Sequence, residues 1–153
     1  MAKFSIQTLG CKVNQYESEQ MASLLRSHGW TESDPDAAEL RIVNTCSVTA
    51  EAASKSRQAV RRAVRTGAKS KVVVAGCWAT SDKQTAGQMT GVDLVLTHHD
   101  NVSDRLTEFV AEGAKNRLGL VLKSAAQRAQ KEITLSADKL AIGSSSRIAS
   151  SSN

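Results

Sequence analysis

Residues 71–75 are Lys-Val-Val-Val-Ala, an almost continuous run of β-branched side chains that is followed by Gly76 and Cys77. Such a run is typical of a strand buried on both faces, as strands are in a parallel sheet. On both sides of it, segments with helical periodicity separate further strand-like segments. The alternation predicts an α/β fold, with a doubly wound, mostly parallel sheet of about five strands and helices on both faces.

The other predicted elements follow from local patterns. Further strands are predicted at residues 3–9, 30–33, 40–44 and 92–96. A first helix is predicted from a capping box of Asn14 and Glu17 to Gly29. A second is predicted from Thr49 to Thr66 and Gly67. Two more helices are expected to end near Gly91 and at Gly113, the former capped by Ser81.

The last 40 residues differ in character from the rest. Eight serines lie between Ser124 and Asn153, including two runs of three. Residues 118–122 suggest a last strand, and residues 125–133 suggest a weak helix. We therefore predict a domain over residues 1–113, and a linker or flexible serine-rich tail over residues 114–153.

Composition excludes several classes of protein. The 153 residues are 41% hydrophobic and 23% charged, which is ordinary for one globular domain. No apolar run approaches the roughly 20 residues that cross a bilayer, and the first residues lack a signal-peptide core. We expect a cytoplasmic protein without a membrane partner. An odd number of cysteines, three, also argues against a disulfide framework.

Basic charge is concentrated in one segment. Of the net charge of +5, the excess lies in residues 51–71, which hold seven basic side chains and one acidic side chain. On the predicted helix, Arg57, Arg61 and Arg65 have i, i+4 spacing, and Arg62 lies beside them. Contact with RNA phosphates is one interpretation of these four arginines. The solvated face of an amphipathic helix is an equally good one.

Each of the three cysteines follows a predicted strand. Cys11 lies after Leu9 and Gly10, Cys46 after the strand that starts at Leu40, and Cys77 after Gly76. Because the carboxyl ends of parallel strands meet at one edge, the sequence predicts that the three thiols converge there. A buried cysteine is often only a small hydrophobic residue, but three at equivalent strand ends indicate a shared metal or cluster site.

Three thiolates are compatible with two kinds of metal centre. Zinc needs a fourth ligand, which His98 or His99 after the fifth strand could supply, although a polar loop is the simpler interpretation of these histidines. An iron–sulfur cluster held by three thiolates would keep one iron open to an outside ligand. The spacing of the cysteines leaves both open.

Three segments together resemble a known family. They are Thr-Leu-Gly-Cys-Lys-Val-Asn-Gln-Tyr-Glu-Ser-Glu at residues 8–19, Asn-Thr-Cys-Ser-Val-Thr at 44–49 and Ala-Gly-Cys-Trp-Ala at 75–79. They are similar to the amino-terminal domain of the radical S-adenosylmethionine methylthiotransferases. Residues 11–17, Thr49 and residues 55–58 most resemble the branch that modifies N6-threonylcarbamoyladenosine at tRNA position 37.

The resemblance implies a cofactor and a partner. Cys11, Cys46 and Cys77 would hold an auxiliary 4Fe–4S cluster in an enzyme that adds a methylthio group to carbon 2 of the adenine in tRNA. In the full-length family, a second 4Fe–4S cluster in a separate domain cleaves S-adenosylmethionine, and its ligands form a C-x-x-x-C-x-x-C motif. These 153 residues lack that motif. We therefore expect a truncated or isolated cluster-binding domain that does not catalyse methylthiolation alone.

Two alternatives to this function remain at the level of sequence. One is a structural zinc domain that binds RNA. The other is a folded remnant without metal. Metal content after purification distinguishes the three hypotheses.

Overall fold

A computed structural model describes residues 2–145, and the statements below refer to this part of the chain. It contains five strands and five α-helices. They are β1 (Lys3–Thr8), α1 (Lys12–Ser27), β2 (Thr31–Glu32), β3 (Leu40–Thr45), α2 (Ala50–Thr66), β4 (Lys71–Gly76), α3 (Cys77–Ser81), α4 (Lys83–Gln88), β5 (Leu94–Val95) and α5 (Val102–Ser145). A short 3₁₀ turn at Pro35–Ala37 precedes β3.

The strands form a single parallel sheet in the order β2-β1-β3-β4-β5. The chain leaves β1 toward one side of the sheet and resumes at β3 on the other, so the strand order reverses between β1 and β3. Right-handed connections in opposite directions place α1 and α2 on opposite faces. The predicted doubly wound α/β fold is confirmed, and open sheets of this kind bind ligands at the carboxyl edge beside the reversal.

The core is built from the alternation of apolar side chains along the central strands. Val43 and Val74 are neighbours in register and pack with Val60 of α2 and Trp78 of α3. Ile42 and Val73 are also neighbours in register, and alternation directs them to the opposite face. Both central strands are almost completely buried. This explains why the β-branched run is nearly continuous.

Helix α2 has the predicted bounds. The Thr49 hydroxyl accepts a hydrogen bond from the Ala52 N–H at 3.0 Å, and the helix ends before Gly67. The buried guanidinium of Arg41 supplies hydrogen-bond donors to the last turn of α2. It donates to Thr66 Oγ1 at 2.6 Å and to the Ala63 carbonyl at 3.3 Å. The local capping signals therefore predict the bounds of α2 correctly, and the contact with Arg41 stabilises its end.

The predicted start of α1 is wrong. The helix begins at Lys12 and not after Asn14, and Cys11 occupies the N-cap without a side-chain cap bond. Asn14 is completely buried inside the first turn. Its amide is used in contacts with other parts of the chain, which a local capping rule does not anticipate.

The predicted end of α5 is also wrong. The helix continues through Gly113 to Ser145, so residues 118–122 are helical and not a strand, whereas the predicted helix at residues 125–133 is confirmed. A glycine costs a helix only about 1 kcal/mol relative to alanine, and good helix formers flank this one. Residues 146–153, which form the end of the predicted serine-rich tail, lie outside the described residues.

The chain divides into two compact units, Met1–Glu108 and Phe109–Asn153. All five strands and all three cysteines belong to the first unit. Within the described residues, no helix combines the length and the apolar character needed to span a bilayer.

Candidate metal centre

The three cysteines lie at the carboxyl edge of the sheet, as the sequence predicts. Cys46 follows β3 directly, Cys77 follows β4 directly, and Cys11 follows β1 after a two-residue connection. Strands β1, β3 and β4 are adjacent, so the three βα connections are neighbours. Cys11 is exposed, Cys46 is buried, Cys77 is half-buried, and all three are free thiols.

Two glycines allow these connections to pack against each other. Gly10 has a φ of 99°, and a Cβ added there would lie 2.7 Å from Cys46 Cβ and 2.8 Å from Cys46 Sγ. Gly76 has a φ of 93°, and an added Cβ would overlap the Thr45 backbone and the Asn44 side chain. Both positions combine a left-handed backbone with close approach, which only glycine tolerates. The backbone beside Cys11 therefore touches the Cys46 side chain.

The thiols have different electrostatic environments. The backbone N–H groups of Asn14 and Val13 lower the pKa of the Cys11 thiol. Burial raises the pKa of the Cys77 thiol, and the negative charges of Cys46, Glu17 and Cys11 raise it further. Cys77 therefore lies within electrostatic range of both other sulfurs. Three thiolates at this edge repel one another unless a cation compensates them.

A buried polar network holds the backbone around the cysteines. Asn14 Nδ2 donates to the carbonyls of Leu9 and Thr45, at 2.7 and 2.9 Å. Asn44 Nδ2 donates to the Asn14 carbonyl at 2.9 Å and to Ser18 Oγ at 3.1 Å. Residues far apart in sequence are therefore tied together at the ends of β1 and β3.

Two hydroxyl groups complete this network. Ser56 Oγ of α2 donates to the Cys46 carbonyl at 2.8 Å and accepts from the Cys46 N–H at 2.9 Å. Thr45 Oγ1 donates to the Ala75 carbonyl at 2.5 Å and accepts from the Ala79 N–H at 3.2 Å. The backbones on either side of Cys46 and Cys77 are thus fixed by side chains from other elements.

Asn44, Ser18 and Ser56 lie within the segments quoted above, but the sequence pattern assigns them no role at the site. A signal for them exists in the pattern, because each is a polar residue at a position where the periodicity predicts burial. Asn44 ends an apolar strand, and Ser18 lies one turn from Met21 on the buried stripe of α1. Buried polar side chains need partners, so such positions indicate tertiary hydrogen bonds.

The two histidines that could complete a zinc site are exposed. His98 Nε2 lies 3.1 Å from Glu17 Oε1 of α1, and the His98 N–H donates to Thr80 Oγ1 at 3.0 Å. The ring of His98 is therefore next to the second turn of α1, on the carboxylate of Glu17. Nothing in the described contacts joins His99 to the thiols.

The donor set of three thiols fits an iron–sulfur cluster in its chemistry. Thiolates are the ligands that such clusters take, and each thiolate binds a different iron atom. The ligands of a single zinc ion stand closer together, since each sulfur is about 2.3 Å from the same metal. Among the described residues, no group of three or more His, Cys, Asp or Glu side chains has the spacing of ligands to one ion.

A cavity of about 390 Å³ opens beside this edge, between α1, the ends of β4 and β5, and the first turn of α5. Glu17 and His98 are among its polar residues, Gly76 forms part of its wall, and Val13, Met21 and Leu96 supply apolar surface. The cavity provides room for a small molecule beside Gly76, the residue that precedes Cys77.

The four arginines of α2 lie on two sides of the helix. Arg61 and Arg65 share a depression with Met89, whereas Arg62 lines a separate cavity with Asp36. Arg57 is half-buried and follows Ser56, close to the cysteine edge. Among the described side chains, no carboxylate pairs with any of the four arginines. The structure therefore brings together Arg61 and Arg65 and separates Arg62 from them.

A sequence model of the family described as "Uncharacterized protein family UPF0004" matches residues 3–97, from the first residue of β1 to just beyond β5. The chain belongs to this family. The matched UPF0004 region contains all three cysteines, the polar network around them and the basic helix α2.

The chain also matches curated proteins whose names refer to methylthio groups. The chain is 38% identical over 101 residues to the threonylcarbamoyladenosine tRNA methylthiotransferase MtaB of Bacillus subtilis (strain 168), a match that covers 65% of this chain and 22% of the relative. It is 39% identical over 101 residues to a tRNA-2-methylthio-N(6)-dimethylallyladenosine synthase of Sorangium cellulosum (strain So ce56), covering 63% and 20%. It is 36% identical over 113 residues to the ribosomal protein uS12 methylthiotransferase RimO of Salinispora arenicola (strain CNS-205), covering 71% and 22%.

These comparisons confirm the resemblance found in the sequence, including relatives of the threonylcarbamoyladenosine branch. The chain spans about a fifth of the length of the curated relatives that it matches. What those relatives act on differs between a modified adenosine in tRNA and a ribosomal protein, according to their names.

Proposed function

We propose that this chain is the part of a tRNA methylthiotransferase that binds an auxiliary 4Fe–4S cluster. The proposed substrate of the whole enzyme is N6-threonylcarbamoyladenosine at tRNA position 37, which would receive a methylthio group on carbon 2. The name of the relative from Bacillus subtilis supports this substrate. The contact between Gly10 and the Cys46 side chain carries the proposal, because it joins two thiol-bearing connections at one sheet edge.

Cys11, Cys46 and Cys77 are the proposed ligands. When bound, such a cluster would keep one iron free of a protein ligand and carry the sulfur that the reaction transfers. The protein's own residues hold the thiols in place and shape the cavity that Gly76, next to Cys77, helps to line. Glu17 and His98 line the approach to that cavity.

We also propose that S-adenosylmethionine and a second 4Fe–4S cluster bind outside these 153 residues. The sequence contains three cysteines, and the auxiliary site uses all of them. The chain alone is then expected to bind its cluster without catalysing methylthiolation. A tRNA substrate also favours a location in the cytoplasm.

Reconstitution with ferrous iron and sulfide under anaerobic conditions tests the ligands. We expect a brown protein with about four irons per chain. Each of Cys11→Ser, Cys46→Ser and Cys77→Ser should reduce the iron content below about one per chain, because the loss of one thiolate leaves two irons of the cluster without a protein ligand. Iron analysis and visible absorption measure the effect.

Ser47→Ala is the matched control for these variants, since it changes the residue next to Cys46 without removing a thiol. It should load as much iron as the unaltered chain. Normal iron content in all three cysteine variants would overturn the proposal. A single zinc ion that is lost on His98→Ala or His99→Ala would favour the structural zinc site, and failure to bind either metal would favour a metal-free remnant.

Contact with tRNA is proposed for one side of α2. Arg57, Arg61 and Arg65 lie at successive turns and span about 12 Å of helix at 1.5 Å per residue. Their charges repel one another, and no described carboxylate neutralises them. A phosphate backbone would supply the missing negative charge. Arg62 is proposed as a separate contact, because it lines a different cavity from Arg61 and Arg65.

Binding of tRNA at several salt concentrations tests this surface. The double variant Arg61→Ala with Arg65→Ala should reduce the slope of log affinity against log salt by about two, because each removed phosphate contact reduces it by about one. Filter binding or fluorescence anisotropy measures the slope. Arg26→Ala is the matched control, because Arg26 is already paired with Glu19 at 2.8 Å and Glu32 at 2.7 Å.

If the double variant and the control have the same slope, the charged side of α2 is only a solvated helix face. A smaller slope for both variants would indicate diffuse attraction by net charge and would also count against a specific contact at Arg61 and Arg65.

A further inference from the structure

Asn14 has an unusual position for an asparagine in a helix. It lies in the first turn of α1 and is completely buried, whereas asparagine at a helix start usually serves as an exposed N-cap. The N-cap here is Cys11, three residues earlier. A buried amide in this position needs partners outside its own helix.

The partners of Asn14 are the connections that bear the cysteines. Its Nδ2 donates to the carbonyl of Leu9, two residues before Cys11, and to the carbonyl of Thr45, one residue before Cys46. Its Oδ1 lies 3.9 Å from Cys77 Sγ, which donates to it as a thiol. One side chain therefore contacts all three connections.

The geometry requires an amide at this position. Both Nδ2 hydrogens are used on carbonyl oxygens, so the orientation of the amide is fixed and its oxygen must face Cys77. An aspartate would place an oxygen, which cannot donate, against the two carbonyl oxygens. A glutamine would move the donor nitrogen away from them by the length of one methylene group.

We propose that Asn14 is a positioning residue that fixes the Cys11 and Cys46 connections against each other, and orients Cys77, before any metal binds. The inference rests on the proposed function, because it assigns these thiols to one site. It goes beyond that function because Asn14, which is not a ligand, is proposed to hold the three thiols in place before a metal binds.

Alkylation of Cys46 in the metal-free protein tests the preformed geometry. Cys46 is 5% exposed, and the packed connections protect it. We expect Asn14→Ala to accelerate its reaction with iodoacetamide by at least about tenfold, because two hydrogen bonds that close the site are lost. Peptide mass spectrometry after timed quenching measures the rate at each cysteine.

Ser18→Ala is the matched control. Ser18 belongs to the same buried network and bonds Thr8 and Asn44, but it contacts none of the carbonyls that precede the cysteines. It should lower stability without accelerating the Cys46 reaction to the same extent. Equal acceleration in both variants would show a general structural effect and would overturn the proposal.

The rate of iron loss to a chelator is the second readout. After reconstitution, the Asn14→Ala protein should lose iron at least about tenfold faster than the Ser18→Ala protein. If the unaltered chain never loads iron but Asn14→Ala still exposes Cys46, the proposed function fails and the positioning role stands. Unchanged alkylation and unchanged iron loss in Asn14→Ala would refute the positioning role alone.

If Asn14→Ala does not fold, Asn14→Gln replaces it in both measurements. If neither variant folds, the side-chain amide protons of Asn14 decide the question in the unaltered protein. Slow exchange of both protons with solvent is expected, because each is bonded to a buried carbonyl. Rapid exchange of either proton contradicts the proposal.

Discussion

Cys11 and Cys77 lie at the same edge of the sheet, yet their thiols are in opposite electrostatic environments. Cys11 is exposed at the start of α1, and two backbone N–H groups lower its pKa. Cys77 is half-buried, and burial together with the charges of Cys46, Glu17 and Cys11 raises its pKa. Cys11 is therefore expected to supply the first thiolate that a metal meets.

The pH dependence of alkylation tests this difference in the metal-free chain. Only the thiolate reacts, so a lowered pKa moves the rise in rate to lower pH and a raised pKa moves it to higher pH. Cys11 should reach half its maximal rate at a lower pH than free cysteine, and Cys77 at a higher pH. Peptide mass spectrometry across a pH series measures both profiles.

Glu17→Gln provides the internal check on the cause. The Glu17 carboxylate contributes to raising the pKa of both thiols, so its removal should move both profiles to lower pH. Profiles that do not move would show that the charge of Glu17 does not reach the thiols. If both Cys11 and Cys77 reach half their maximal rate at the same pH as free cysteine, the electrostatic account is wrong.

At the scale of residues, the sequence predicts the placement of the cysteines but not of their support. Cys11, Cys46 and Cys77 are predictable because strand ends in a parallel sheet share an edge. Asn14 and Ser56 are not, because their roles depend on partners elsewhere in the chain, such as the Thr45 carbonyl and the Cys46 backbone. A local pattern shows that such a residue is polar and buried, but not which groups it meets.

At the scale of elements, the central strands and α2 are predictable because their signals are local and consistent. The bounds of β1, β3 and β4 differ from prediction by at most one residue, and α2 matches. The edge strand β2 is shorter than predicted, at Thr31–Glu32. The start of α1 differs because the tertiary contacts of Asn14 outweigh its tendency to cap a helix. The length of α5 differs because the helix formers around Gly113 outweigh the cost of that glycine.

The packing of the connections makes a stability prediction for Gly10. Gly10→Ala should lower the free energy of unfolding by about 2–5 kcal/mol, because a left-handed backbone costs about 1–2 kcal/mol and overpacking adds about 1–3 kcal/mol. The overpacking arises from the contact of the new Cβ with Cys46, at 2.7 Å from its Cβ. Urea unfolding of the metal-free chain measures the change.

Gly29→Ala separates these two contributions. Gly29 also has a left-handed backbone, with a φ of 80°, but an added Cβ meets no atom within 4 Å. Its replacement should therefore cost only about 1–2 kcal/mol. If the two variants lose the same stability, the connection before Cys11 does not press against Cys46, and the close contact at the candidate site is refuted.

At the scale of the whole molecule, the three thiols and the basic helix α2 belong to the same compact unit. The thiols lie at the carboxyl edge where the strand order reverses, and α2 begins at that edge and extends away from it with its row of arginines. The arginines were identifiable from sequence, but their separation into two sides depends on the elements that flank α2.

Mass spectrometry of the intact, reconstituted chain under anaerobic, non-denaturing conditions tests the central claim most directly, because it counts the iron and sulfide bound to one chain. We predict the mass of the chain plus four irons and four sulfides, and the mass of the bare chain after Cys46→Ser. The bare mass for the unaltered chain, or the mass of the chain plus a single metal ion, would contradict the account.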